Sequence, residues 1–253
     1  MNQKTETETN NVNKCIFLAG ASGAIGRRLA PLLVADGWRV VGSTRSADKA
    51  PLLREMGVEP VLVDVFDAEA LKDILDNIRP EIVIHQLTDL PYALDANEMT
   101  EALVRNARLR DEGTRNLINA AVSSGAKRLI AQSIAFIYSD GTLPHSEEDP
   151  FLAETHPVYG ETVTGVMSLE RQVLSAPLDG IVLRYGLFYG PGTGFDAPIA
   201  PGSVQVDAAA KAAELAITKA VPGIYNVAET DGSVSSEKAT RILGWDAGWR
   251  AGH

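Results

Sequence analysis

The sequence predicts a doubly wound α/β fold, and three observations predict it. Short runs rich in Val and Ile alternate with stretches of helical period from residue 15 to about residue 185. The runs are apolar throughout, as strands are when helices cover both faces of a parallel sheet. A glycine loop joins the first run to the first helix, which marks the sheet as Rossmann-type.

In chain order, residues 1–13 are polar with no apolar core, so they read as a frayed tail, neither signal peptide nor anchor. "CIFLAG" (15–20) is the first strand, and "AIGRRLAPLLVADG" follows with Ile25, Leu29, Leu32 and Leu33 on one helical face. "WRVVGS" (38–43), a helical "ADKAPLLREMG", "PVLVDV" (60–65), a helical "DAEALKDILDNI" and "EIVIHQ" (81–86) continue the alternation. A long helix over 96–124 comes next, then "RLIAQS" (128–133), a helix near 162–175 and "GIVLRYG" (180–186). Residues 14–186 thus form the nucleotide-binding unit.

After residue 186 the texture changes: "YGPGTGFDAPIAPG" (189–202) holds four Gly and three Pro, which is loop chemistry. One helix (207–219), a short strand "GIYNVA" (223–228) and a last helix ending at "LGW" (243–245) complete the chain. That stretch is too small for an independent domain, so 187–253 is expected as a small, reduced cap lobe packed on the first unit.

Bulk properties exclude several classes. A net charge of −10 argues against a nucleic-acid or anionic-membrane partner, since both need a basic face. No apolar run approaches the roughly 20 residues that span a bilayer. Cys15 is the single cysteine, so no internal disulfide forms, and a cytoplasmic enzyme-sized fold is expected. The four histidines show no metal-ligand spacing, and no metal is expected. The G-x-S-x-G elbow and the Walker GK[ST] are both absent, which removes triad hydrolysis and P-loop phosphoryl transfer.

The loop itself reads Gly20-x-x-Gly23-x-x-Gly26. Gly20 permits a tight turn, Gly23 lets backbone amides approach a pyrophosphate, and Gly26 lets the helix sit against the sheet. Ser22, Ala24 and Ile25 lie in the same cradle. At the end of the second strand, "VVGSTRS" offers no acid to hold a ribose hydroxyl, whereas Arg45 suits a 2′-phosphate, so NADP is expected, with NAD left open. Asp64, with Val65 beside it, would accept from the adenine amino group or cap the next helix.

These residues, with three further segments, resemble the extended or atypical short-chain dehydrogenase/reductases of the NAD(P)-dependent epimerase/dehydratase type. The segments are "DEGTRNLINAA" (111–121), "LRYGLFYGPG" (183–192) and "RILGW" (241–245), and the likeness covers roughly 14–245. It implies an oxidoreductase or epimerase/dehydratase-like enzyme on a small polar carbonyl or hydroxyl compound, with a homodimer through the long helices. It also implies that Gln86, Leu87 and Thr88 border the cofactor, as do Tyr185, Gly186 and Leu187 at the end of the sixth strand.

The family's chemistry uses a Ser or Thr after strand five and a Tyr-x-x-x-Lys. Ser133 lies in the serine region, although the commonest spacing falls on Ile134. Tyr159, in "VYGETV" (158–163), fits the tyrosine, but Val163 replaces the lysine. A second register puts Thr162 and Val166 in those places, equally incomplete; His156 and Arg171 are the nearby residues that would supply charge if the loop brought them in. Arg110 stands where the long helix usually carries asparagine. The lysine is what lowers such a tyrosine from its free value near 10, and a shift of about three units is worth roughly 4 kcal/mol. Ser133 and Tyr159 are therefore the candidate catalytic residues of an impaired site. The alternative is a sensor that binds NADP(H) without turnover.

Overall fold

The computed structural model describes residues 14–252; the expected tail at 1–13 lies outside them. The first half alternates β1 (Cys15–Ala19), α1 (Gly26–Ala35), β2 (Arg39–Thr44), α2 (Ala50–Glu55), β3 (Glu59–Leu62), α3 (Ala68–Ile78) and β4 (Ile82–His85). Next come α4 (Met99–Arg108), a π-turn (Leu109–Gly113), α5 (Thr114–Ser124), β5 (Arg128–Ile134), α6 (Gly160–Ser175) and β6 (Asp179–Tyr185). The chain closes with β7 (Phe188–Tyr189), β8 (Val204–Gln205), α7 (Val206–Lys219), β9 (Gly223–Val227) and α8 (Glu237–Leu243).

Seven strands form one parallel sheet in the order β3-β2-β1-β4-β5-β6-β9. Successive side chains on a strand point to opposite faces, and both faces here are apolar. Ile16, Leu18, Ile84 and Leu183 pack with Leu29 and Leu33 of α1 and with alanines of α7. Phe17, Val83, Leu129 and Val182 pack with Leu71 of α3, Leu117 of α5 and Leu169 of α6. Burying one such side chain contributes about 1.5–3 kcal/mol, so these two layers carry most of the folding free energy.

Local signals set the helix ends. The Asp67 carboxylate accepts from the Ala70 amide at 3.0 Å and opens α3, while α5 stops at Gly125 with φ +81°. The expected long helix over 96–124 is interrupted by the π-turn, where one extra residue is wound into the helix. β3 ends at Leu62, short of the expected residue 65, because the chain turns out at Asp64 and its carboxylate accepts from the Phe66 amide.

Of the stretch expected as a cap lobe, β9 enters the main sheet as its seventh strand, paired with β6 from Ile181↔Gly223 to Tyr185↔Val227. Helix α7 covers that edge and shares one core with α1. Within residues 187–205, the short β7–β8 ladder forms a separate two-stranded sheet. The edge strand β6 has an apolar ladder to offer, which is why the sheet recruits β9.

Candidate active site

Strand order reverses between β1 and β4, and doubly wound sheets bind ligands outside the carboxyl ends at that switch point. The glycine loop opens there. Gly20 has φ +86°, and a Cβ on it would lie 2.7 Å from the Gln86 carbonyl oxygen. A Cβ on Gly26 would lie 2.3 Å from the Gly20 oxygen. Both glycines are thus required by close backbone approach. The loop borders a cleft of about 340 Å³. Gly20, Ser22 and Gly23 form one side, Thr44, Arg45 and Lys49 the end beside β2, and Gln86, Leu87 and Thr88 the other wall. Val65, Leu71 and Leu117 give it an apolar flank.

This donor set suits a dinucleotide. A helix N-terminus behind the glycine loop suits a pyrophosphate, two cations close one end, and an apolar slot suits a base. Arg45 lies 3.7 Å from Asp89, a loose, half-exposed pair that leaves its guanidinium available. The Gln86 side-chain amide is buried with neither atom in a well-directed hydrogen bond, although it approaches the equally buried Tyr185 hydroxyl. Of the other expected cofactor residues, Asp64 does not border the cleft and closes its own turn instead. Ala24 and Ile25 lead into α1 behind the loop, Ile25 with its carbonyl accepting from Arg28 and Leu29. Gly186 and Leu187 follow β6, where a Cβ on Gly186 would meet the Gly202 oxygen at 1.8 Å. That contact holds the loop of residues 188–205 against the end of the sheet.

His85 braces the cleft wall. The Leu87 amide donates to its Nδ1 at 3.2 Å, so Nε2–H donates to Thr114 Oγ1 at 3.1 Å. Burial, with the Arg110 charge adding to it, pulls its pKa down to about 4. The unfolded chain takes up this proton near pH 6.5 and the folded chain only near 4, so stability falls as pH drops through that window. The loss amounts to about 3 kcal/mol. Urea midpoints measured at pH 7 and pH 4.5 should fall further for the wild type than for His85→Gln; equal falls would contradict this.

The hydroxyls expected to do chemistry are placed otherwise. Ser133 is 1% exposed, and its Oγ donates to Glu170 Oε1 at 2.6 Å. Arg184 holds the same carboxylate through Nε at 2.9 Å and Nη2 at 2.7 Å. Tyr159 caps α6 and is 38% exposed, its ring 5.4 Å from that of His156. His156 Nδ1 accepts from the Val158 and Tyr159 amides, so it shapes the helix start. Ile134, Ile137, Val163 and Val166 meet in a buried apolar cluster. Both registers that could have supplied a lysine thus end in the same hydrocarbon wall.

A model of the NAD dependent epimerase/dehydratase family matches residues 16–223. The chain belongs to that family. Within it, a 3-diazoavenalumate denitrifying reductase from a Streptomyces species is 42% identical over 182 residues, covering 71% of this chain and 58% of that protein. A putative NADPH-dependent methylglyoxal reductase of Candida albicans is 30% identical over 129 residues, 47% of this chain and 37% of its own length. The chain thus spans less than two thirds of these relatives. Among solved structures, the UDP-glucose 4-epimerase of Thermotoga maritima superposes with a TM-score of 0.74 at 21% identity, covering 92% of this chain and 93% of that one.

For an epimerase/dehydratase-family chain, three site features escaped the sequence reading. Glu170 organises Ser133 and Arg184. Lys49 joins Arg45 at the cleft end because β2 and the turn after it fold back together, and its charge near Arg45 was the available signal. The π-turn at Leu109–Gly113 has no sequence signature, and it carries Arg110 into the interior, 7% exposed.

Proposed function

We propose that this chain is an NADP(H)-dependent reductase whose acceptor needs hydride but no proton from the protein, and that an aromatic diazo compound is the acceptor class. The observation that carries this is the apolar cluster of Ile134, Val163 and Val166 where a proton relay would need a hydroxyl and an ammonium. Reduction of a ketone leaves an alkoxide that must be protonated as it forms. An arenediazonium instead takes a hydride and releases N2, a C–N bond breaking and a C–H bond forming with no proton taken up. The relative named for denitrifying a diazo-bearing carboxylate supports this choice.

In this reading Ser22 and the α1 N-terminus hold the pyrophosphate, while the Gly20 and Gly23 amides keep the loop in shape by donating to Ser43 Oγ and to the Gly20 carbonyl. Arg45 and Lys49 take the 2′-phosphate, and Val65, Leu71 and Leu117 flank the adenine. Gln86, Leu87, Thr88 and Tyr185 border the nicotinamide half. A reduced nicotinamide bound there supplies the hydride. The apolar cluster excludes water from the acceptor, and Ser133 stays with Glu170 as a positioning group. Tyr159, half-exposed at the start of α6, exchanges no proton with the acceptor.

The test uses NADPH deuterated at its transferable position, an arenediazonium carboxylate, and a panel of aldehydes and ketones. Expected are N2 release matching NADPH oxidation above the protein-free rate, deuterium on the ring carbon, and no loss in Tyr159→Phe. NADPH should bind at least about tenfold more tightly than NADH, with Arg45→Ser removing most of that margin, roughly 1.4 kcal/mol. Turnover of ketones that disappears in Tyr159→Phe would overturn the reading. Tight NADPH binding with no turnover of either class would establish the sensor instead.

A further inference from the structure

We propose that Arg110 is the binding residue for an anionic group on the substrate, a carboxylate or comparable oxyanion, carried inward by the π-turn. The inference rests on the reductase reading above and specifies its substrate class.

Arg110 is 7% exposed, and among the described residues its guanidinium makes no hydrogen bond and no ion pair, its nitrogens keeping a sliver of solvent contact. A buried charge without a partner is destabilising by several kcal/mol unless something uses it. The nearest acid cannot serve. Glu170 Oε1 already accepts from Ser133 Oγ at 2.6 Å and Arg184 Nε at 2.9 Å, and Oε2 accepts from Arg184 Nη2 at 2.7 Å. That carboxylate is neutralised by Arg184, an arginine with further partners in the Tyr138 hydroxyl and the Glu147 carbonyl. Burial pulls Arg110 down to about 10, with Glu170 opposing, so it remains a cation at neutral pH. His85, whose value is near 4, is neutral there. Two arginines and one glutamate thus leave one positive charge over, and Arg110 carries it.

The position suits a ligand. Arg110 sits in the π-turn between α4 and α5, a device that often marks functional sites. Its chain neighbour Leu109 lines the cleft, and its charge reaches His85, which braces Leu87 on the cleft wall. From α6, the charge that reaches Arg110 is Glu170, already held by Arg184 and Ser133. A guanidinium fork matches a carboxylate with two parallel hydrogen bonds. Such an anchor would set the acceptor's orientation beside the hydride donor.

The test measures binding and not turnover, so it stands apart from the fate of the diazo reading. Cinnamate and its neutral amide, cinnamamide, are titrated calorimetrically into protein saturated with NADP+, using wild type, Arg110→Met and Arg110→Lys. Wild type should bind cinnamate at least about tenfold more tightly than cinnamamide. Arg110→Met should lose at least about 30-fold in cinnamate affinity and Arg110→Lys less, with NADP+ affinity unchanged within threefold. Arg110→Met should also melt at or above the wild-type temperature, because it removes an unpaired buried charge. A lower melting temperature would make Arg110 structural and overturn the proposal. So would equal cinnamate binding by wild type and Arg110→Met, no preference of wild type for cinnamate, or a loss of NADP+ affinity showing that the cation serves the dinucleotide. Should Arg110→Met not fold, Arg110→Lys binding cinnamate no more weakly than wild type would refute the fork independently.

Discussion

Gly20→Ala is expected to abolish dinucleotide binding. Two penalties add. The position has φ +86°, a conformation that costs an L-residue about 1–2 kcal/mol. The new methyl would also lie 2.7 Å from the Gln86 oxygen, 2.8 Å from its carbonyl carbon and 3.2 Å from the Leu87 nitrogen. All three are backbone atoms, so no side chain can rotate away, and either the loop or the end of β4 must move. Those are the two walls of the cleft. NADPH affinity should fall at least about 100-fold, equivalent to about 2.7 kcal/mol. Gly37→Ala is the matched control: φ is +81°, but nothing lies within 4 Å of the added carbon. It should lose about 1–2 kcal/mol of stability and leave binding unchanged. Nicotinamide fluorescence titration reads both, and Gly20→Ala binding within threefold of wild type would remove the loop from the site.

The largest loss of stability is expected from Glu170→Ala. Arg184 and Glu170 are paired with side chains 6% and 7% exposed, so removing the acid strands a desolvated guanidinium and the Ser133 hydroxyl. Breaking a buried pair on one side costs about 3–5 kcal/mol. Arg39–Glu59 shows the contrast: it is equally short at 2.7 Å but 46% and 55% exposed. Glu59→Ala should cost less than about 1 kcal/mol. Replacing both buried partners, Glu170→Leu with Arg184→Met, should recover most of the loss, since the pair itself contributes little beyond an apolar isostere. Urea denaturation decides it. A loss below about 1 kcal/mol in Glu170→Ala would mean that water reaches the pair.

Much of the fold was legible because its causes are local. An apolar run such as "CIFLAG" must be covered on both sides, and β1 is buried along its whole length. Gly20 and Gly26 specify a turn that other residues cannot enter, and the cleft opens there. The site was less legible. Ser133 looked like a free hydroxyl until α6 brought Glu170, 37 residues on, within 2.6 Å. The strand at 223–227 was visible, but not that it would join the main sheet beside β6.

The amino-acid sequence by itself determined the alternation of strands and helices, the glycine cradle, and the absence of a lysine four residues after Tyr159. Each follows from residue size, polarity or backbone freedom within a few positions. Only the tertiary structure decided which charges meet. It bonded Glu170 to Arg184 and Ser133, and left Arg110 with no hydrogen-bond partner among the described residues. The physical reason is that a carboxylate's partner is chosen by which side chains packing brings within about 3 Å, and that distance does not exist until α6 and the π-turn close over the ends of β5 and β6.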